Sequence, residues 1–269
     1  MDASIIDCHC HAGIGDGLTG PWDTAAPLTN YVSQSRRCGI EHTVLFACFH
    51  SDYSQANRDV ARIVVQNRRR FSGFVFVNPE RDRGRVESLV REMVIAAQFC
   101  GIKTHRYDGR ITREICEVAH RWSLPVLFDV MGEVSVVDLI APAYPRVNFI
   151  IPHLGSFADD WKAQKHMIDP LCRYKNVFTD TSGIRRFDLL EEAIRRAGPG
   201  KVLFGSDGPW LNPEVELAKI HALRLSPPAF RQVTRDNWLR LTRIARQRAM
   251  RSIPAHGAVA TVNGKAESV

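Results

Sequence analysis

Ile5-Ile6-Asp7-Cys8-His9-Cys10-His11 is the first apolar run of the chain, and it drives straight into a His-x-His pair. Extended backbone sends successive side chains to opposite faces. Asp7, His9 and His11 are therefore expected on one face, and Cys8 and Cys10 on the other. Two imidazoles on one face at a strand's end are placed to grip one metal ion, and imidazole suits zinc, iron, copper and nickel. An open nucleotide-binding sheet would more naturally show a glycine-rich phosphate loop at this point. Standing alone, the pair reads equally well as two solvated histidines at a loop entrance. The remainder of the chain has to supply the missing ligands.

Seven further short apolar runs follow, at 42–49, 71–78, 101–105, 125–129, 147–152, 176–180 and 201–206. They are rich in Val, Ile and Phe and read as buried strands. Helix-spaced stretches alternate with them: 28–38, 54–67, 83–99, 112–122, 134–141, 161–171, 187–197 and 213–223, with a last helix over 229–250. Strand–helix alternation implies βαβ units and a parallel sheet. Eight such units in 269 residues fit an α/β chain folded as a (β/α)8 TIM barrel, expected as a single domain over 1–251 with a disordered tail at 252–269. The glycine-rich loop over 12–27 is long for a barrel connection and reads as a lid or substrate loop.

Active sites of such barrels lie at the C-terminal ends of the strands. Those ends are polar here: His9 and His11, then Lys103-Thr104-His105, Asp129, His153, Thr179-Asp180-Thr181-Ser182 and Asp207. An ionisable group closing an apolar strand is costly unless paired, solvated or metal-bound. Several at the same end converge on one mouth.

The motifs at these ends resemble the amidohydrolase superfamily. The likeness is to the amidohydrolase-related branch that contains 2-amino-3-carboxymuconate semialdehyde decarboxylase and several lactone and amide hydrolases. It rests on Asp-Cys-His-Cys-His at the start, Gly-Ile-Lys-Thr-His at 101–105, Leu-Pro-Val-Leu-Phe at 124–128, Pro-His-Leu-Gly at 152–155 and Phe-Gly-Ser-Asp-Gly-Pro-Trp at 204–210. Asp-Asn-Trp-Leu-Arg-Leu at 236–241 is similar to the branch's closing helix, so the likeness spans roughly residues 4 to 248. The resemblance implies a divalent-metal barrel, with zinc expected first and manganese or iron as alternatives. It implies His9, His11, His153 and Asp207 at the metal, Asp207 as general base and His153 as the group that polarises substrate.

Strand five departs from the family pattern, with Asp129 where histidine is usual. Asp129 can replace that ligand, since carboxylates bind zinc, or it can mark a site whose ion is lost or reassigned. Lys103 reads either as a cation for a substrate carboxylate, helped by His105, or as half of a salt bridge to Asp129 or Asp207. Some superfamily members carbamylate a fourth-strand lysine to bridge two metals, a case that Asp129 weakens. Arg106, Arg110, Arg185 and Arg186 fall in loops at the mouth and would favour an anionic substrate. Trp22 and Trp210 are candidates for the pocket wall.

Composition sets the outer limits. No apolar stretch of about 18 residues appears, so no membrane span is expected. The first residues lack a signal-peptide pattern. Seven scattered cysteines do not form a secreted disulfide framework. A cytoplasmic enzyme acting on a small, anionic molecule is therefore expected, with homo-oligomerisation left open. Residues 224–251 hold eight arginines against Asp236 and account for the whole formal charge of +7. They read as a solvated helix face rather than a nucleic-acid surface, because no aromatic platform interleaves them. Three functions follow: metal-assisted hydrolysis of an amide or lactone, decarboxylation on the same site, or an inactive barrel serving as a binding module.

Overall fold

A computed structural model describes residues 4–18 and 24–251, with side chains to residue 248. Trp22 and the tail expected at 252–269 lie outside the described residues. In chain order the elements are β1 (Ile5–Ile14), β2 (Ala25–Ala26), α1 (Leu28–Arg37), β3 (Ile40–Ala47), α2 (Tyr53–Gln66), β4 (Phe71–Gly73), β5 (Val75–Phe76), α3 (Val86–Ala97), β6 (Ile102–His105) and α4 (Arg113–Trp122). There follow β7 (Val126–Asp129), α5 (Ser135–Ala143), β8 (Phe149–Ile151), α6 (Trp161–Arg173), β9 (Val177–Asp180), α7 (Phe187–Ala197), β10 (Val202–Leu203), α8 (Pro213–Ala222), α9 (Pro227–Arg231) and α10 (Asn237–Arg251).

Helix boundaries follow local chemistry. Thr112 caps α4 by accepting from the Ile115 amide, Ile115, Cys116, Val118 and Ala119 form its buried stripe, and Ser123 ends it in the left-handed region. The last helix is less regular than its spacing suggests. A π-helical turn over Gln232–Asp236 separates α9 from α10, and its Val233 carbonyl accepts the Phe204 amide at 2.9 Å. The helix thereby completes the hydrogen bonding of the chain leaving β10.

The strands pair in parallel as β1-β3-β4 and β5-β6-β7-β8-β9-β10, with β2 antiparallel on the end of β1. Two junctions close the ring. β4 and β5 are one strand bent at Phe74, whose amide donates to Leu45 O while the Val75 amide donates to Gly101 O. On the other side the Cys8 amide donates to Phe204 O, and the Asp207 amide to His9 O, each within 2.9 Å, and Cys10 bridges Gly208 in parallel. Eight staves result, filled by buried Val, Ile, Leu and Phe and covered by helices.

β1 corrects the period-two reading. Its register against β3 slips between Asp7 and Cys10, so strict alternation is broken there. Asp7 turns away from the mouth, accepting from Tyr31 Oη of α1 at 2.7 Å and from the Ser206 amide at 2.9 Å. The strand also runs to Ile14 rather than ending near Cys8, because the histidines themselves continue the pairing with β3.

Candidate metal centre at the barrel mouth

The polar strand ends meet at one cavity of about 550 Å³. His9 and His11 come from β1, and Asp207 from the turn after β10. Donor atoms of these three lie within 4.8 Å of one another. Asp207 sits at φ 56°, as His153 does at 57° and Leu154 at 53°. Left-handed conformations at non-glycine residues cost on the order of 1–3 kcal/mol and persist where surrounding contacts over-determine them. Here the Asp207 amide is held by His9 O, and the Leu154 amide by Thr179 Oγ1 at 3.1 Å.

Both imidazoles are oriented from behind. His9 Nδ1 lies 2.7 Å from Asp180 Oδ2, and His11 Nδ1 lies 2.9 Å from the Ala47 carbonyl. Acceptors at both Nδ1 atoms hold a proton there and aim both Nε2 atoms at Asp207 Oδ1, 3.3 and 3.5 Å away. A metal ligand needs that orientation, with Nε2 free of its proton. Without an ion, the same carboxylates favour a second proton on His9, at Nε2, which a bound cation would displace.

Burial alone would push the His9 imidazole down, but Asp180 and Asp207 outweigh it and raise its pKa to about 9. Burial likewise opposes ionisation of Asp180 and Asp207; the facing histidines overcome it, holding Asp180 at about 2 and Asp207 lower still. Asp207, Asp180 and Asp129 are all buried, with Lys103 the buried lysine nearby. Such a site draws in a cation. The donor set therefore fits a divalent ion held by His9, His11 and Asp207.

A sequence profile of the amidohydrolase family matches residues 6–244. The chain belongs to the amidohydrolase family. Among curated proteins, none matches significantly. Solved structures share the amidohydrolase barrel at low identity. A 2,6-dihydroxybenzoate decarboxylase from Rhizobium superposes with a TM-score of 0.72 at 15% identity, covering 90% of this chain and 99% of that one. A candidate 2-pyrone-4,6-dicarboxylic acid hydrolase from Pseudomonas putida gives 0.71 at 19% identity over 91% and 99%. A dihydroxybenzoic acid decarboxylase from a Polaromonas species, with bound manganese and an inhibitor, gives 0.65 at 16% identity over 92% and 99%. At these identities the likeness speaks for the fold. Amidohydrolase barrels thus host both decarboxylases and hydrolases.

The other expected residues of this amidohydrolase site divide into two groups. His153, Asp129, Lys103, His105 and Trp210 line the cavity. His153 stands with its ring 5.1 Å from that of His9, and its Nδ1 faces the Ser182 carbonyl at 2.8 Å. Neither it nor Asp129 belongs to the convergent group of three. Asp129 is engaged elsewhere: Oδ2 lies 3.1 Å from His105 Nε2 and 3.5 Å from His153 Nε2, and Oδ1 accepts the Met131 amide. Burial would raise its pKa, but the two histidines hold it well below the usual carboxylate range. Since His105 Nδ1 accepts the Tyr107 amide, its Nε2 carries the proton toward Asp129.

Lys103 is buried, with 1% exposure, and no carboxylate among the described residues is within ion-pair distance of it. The salt bridge to Asp129 or Asp207 is therefore not made; Nζ sits 5.0 Å above the Phe46 ring. Trp210 packs on His11 with centroids 4.4 Å apart, and its Nε1 donates to Ala25 O. The second group lies outside the lining. Arg106 forms a two-bond pair with Glu133, and Arg185 is exposed beside Asp159. Their local acids already neutralise them, which the sequence could not show.

Reading strand ends left two residues without a role. Asp180 accepts from His9, and also from the His153 and Ser182 amides and from Ser182 Oγ. Ser182 Oγ lies 3.3 and 3.0 Å from the Nδ1 atoms of His9 and His153. The available signal was the apolar run 176–180 closing on an acid. Phe49, Met131, Phe157 and Leu211 complete the wall; single apolar residues in loops carry no signal of this kind.

Proposed function

We propose that this amidohydrolase is a metal-dependent hydrolase opening an amide or lactone bond in a small, carboxylated substrate. The observation that carries the reading is the division of labour at His9 and His11. Each Nδ1 is engaged behind the ring, and each Nε2 faces Asp207. A divalent ion held there, with zinc first and manganese or iron as alternatives, supplies Lewis acidity toward a substrate carbonyl.

The chain's own groups supply the remaining steps. Asp207 stays ionised and accepts a proton from the attacking water, then returns it to the leaving nitrogen or oxygen. Although burial opposes it, Asp129 raises the proton affinity of His153. Its Nε2–H, directed at Asp129 Oδ2 from 3.5 Å, would turn to developing negative charge on the substrate oxygen. Lys103, lacking a carboxylate partner, takes the substrate carboxylate, with His105 beside it. Trp210, Phe49 and Phe157 wall the site and exclude water.

Decarboxylation of a carboxylated aromatic or unsaturated acid is the second reading. It is favoured by one specific observation, the buried Lys103 side chain over the Phe46 ring in an aromatic-walled cavity, which suits a flat acid. Product analysis in water labelled with heavy oxygen separates the two. Hydrolysis predicts label in the product and no carbon dioxide; carbon dioxide without label would sink it.

A further inference from the structure

The structure gathers the basic C-terminal segment differently from a single solvated helix face. Arg240, Arg243 and Arg248 of α10 meet Arg121 and His120 at the end of α4, and Arg146 from the connection between α5 and β8. They surround one cleft of about 610 Å³, with no aspartate or glutamate in its lining. The cleft also touches Leu124 and Asn148, just ahead of β7 and β8. It therefore lies at the N-terminal ends of the strands, opposite the mouth.

Three separate stretches of chain bring five guanidiniums to this concavity. Gathering them in one concavity concentrates positive charge there, which an anion would offset. Two are braced by backbone: Arg248 Nη1 donates to Arg121 O at 2.6 Å, and Arg240 Nη2 to Gly200 O at 2.8 Å. Arg240 is further stacked 5.2 Å over the Phe178 ring. Arg121 is paired with Glu87. Arg146 and Arg243 have no carboxylate partner among the described residues. Planar guanidiniums match phosphate oxygens in two-bond geometry. One phosphate engages roughly two or three guanidiniums, so the four besides the Glu87-paired Arg121 suit two linked phosphates. The volume is that of a small-molecule site, and a concave cleft without stacking aromatics is a poor match for a nucleic-acid strand.

We propose that this cleft is a second, non-catalytic binding site for a small molecule carrying a diphosphate group. It is independent of the reaction at the mouth.

Calorimetric titration of the full chain with inorganic pyrophosphate tests the proposal, with ADP and orthophosphate in parallel arms. Expected is one saturable site for pyrophosphate or ADP, at least tenfold tighter than for orthophosphate. That site should weaken at least tenfold in the R146A/R243A variant. Binding to an ion at the mouth would survive those substitutions. Both residues are exposed, and an unchanged melting temperature verifies the fold; R146E alone should act in the same direction if the double variant fails to fold. No saturation at millimolar ligand overturns the proposal. So does undiminished binding in the variants, orthophosphate binding as tight as pyrophosphate, or an oligonucleotide that binds the cleft and is not displaced by pyrophosphate.

Discussion

Replacing Asp180 by asparagine removes the charge behind His9 while keeping the shape of the side chain. In the native protein the two carboxylate oxygens serve four donors: His9 Nδ1, the His153 amide, the Ser182 amide and Ser182 Oγ. Asparagine offers one acceptor oxygen, and its amide nitrogen must face donors whichever way it is turned. A buried donor left without an acceptor costs about 1–3 kcal/mol. The imidazole also loses the carboxylate that orients it and raises its basicity. Such partners are worth roughly 10–100-fold in metal affinity, or about 1.4–2.7 kcal/mol. The expected outcome for D180N is a fold that melts at lower temperature and binds zinc or manganese at least tenfold more weakly. Chelator competition measures the affinity, and denaturant titration the stability. An affinity within twofold of the native protein, with the fold intact, would refute the role given to Asp180.

Other outcomes follow from the same geometry. In K103M the KM for a carboxylated substrate should rise more than tenfold with a smaller change in kcat, and the melting temperature should hold or increase, because methionine replaces an unpaired buried ammonium; a lowered melting temperature with unchanged KM would count against it. Gly205→Ala builds a Cβ 2.8 Å from His9 Cβ and 3.2 Å from Asp180 Cγ, so it should cost about 1–3 kcal/mol and weaken metal binding. Gly200→Ala, whose nearest neighbour is the flexible Gln232 side chain at 3.7 Å, is the near-neutral control. Asp180, shifted from 3.8 to about 2, binds fewer protons folded than unfolded, so its contribution is present above pH 3.8 and lost as pH falls through 2. That contribution is about 2 kcal/mol. Denaturant titrations from pH 5 to pH 2 should show D180N losing less stability than the native protein, and parallel curves would exclude the linkage.

The barrel was legible because its signals are local and repeated. Apolar runs such as 125–129 and 176–180 are short, β-branched or aromatic, and separated by helix-spaced stretches, and β7, β9 and α7 fall where those runs place them. The mouth was legible for a related reason, since an ionisable residue at the end of a buried strand stands out against its neighbours. What stayed hidden depends on contacts between distant residues. The slip in β1 arises from pairing with β3 and turns Asp7 toward Tyr31. The π-helical turn exists where Val233 meets Phe204. Arg106 and Glu133 are 27 positions apart, and nothing in either segment announces the pair. Asp129 illustrates both sides. Its place at a strand end marked it as a candidate, while its hold by His105, on the neighbouring strand β6, appeared only when the strands were brought into register.

His9, His11 and Asp207 are proposed to hold a divalent ion. Elemental analysis of the purified chain, after dialysis against zinc or manganese and removal of free metal, tests it most directly. One ion per chain in the native protein, and loss of that ion in H9A/H11A with the circular dichroism spectrum unchanged, is the predicted result. A native protein that takes up no stoichiometric ion, or a double variant that retains it, would contradict the account.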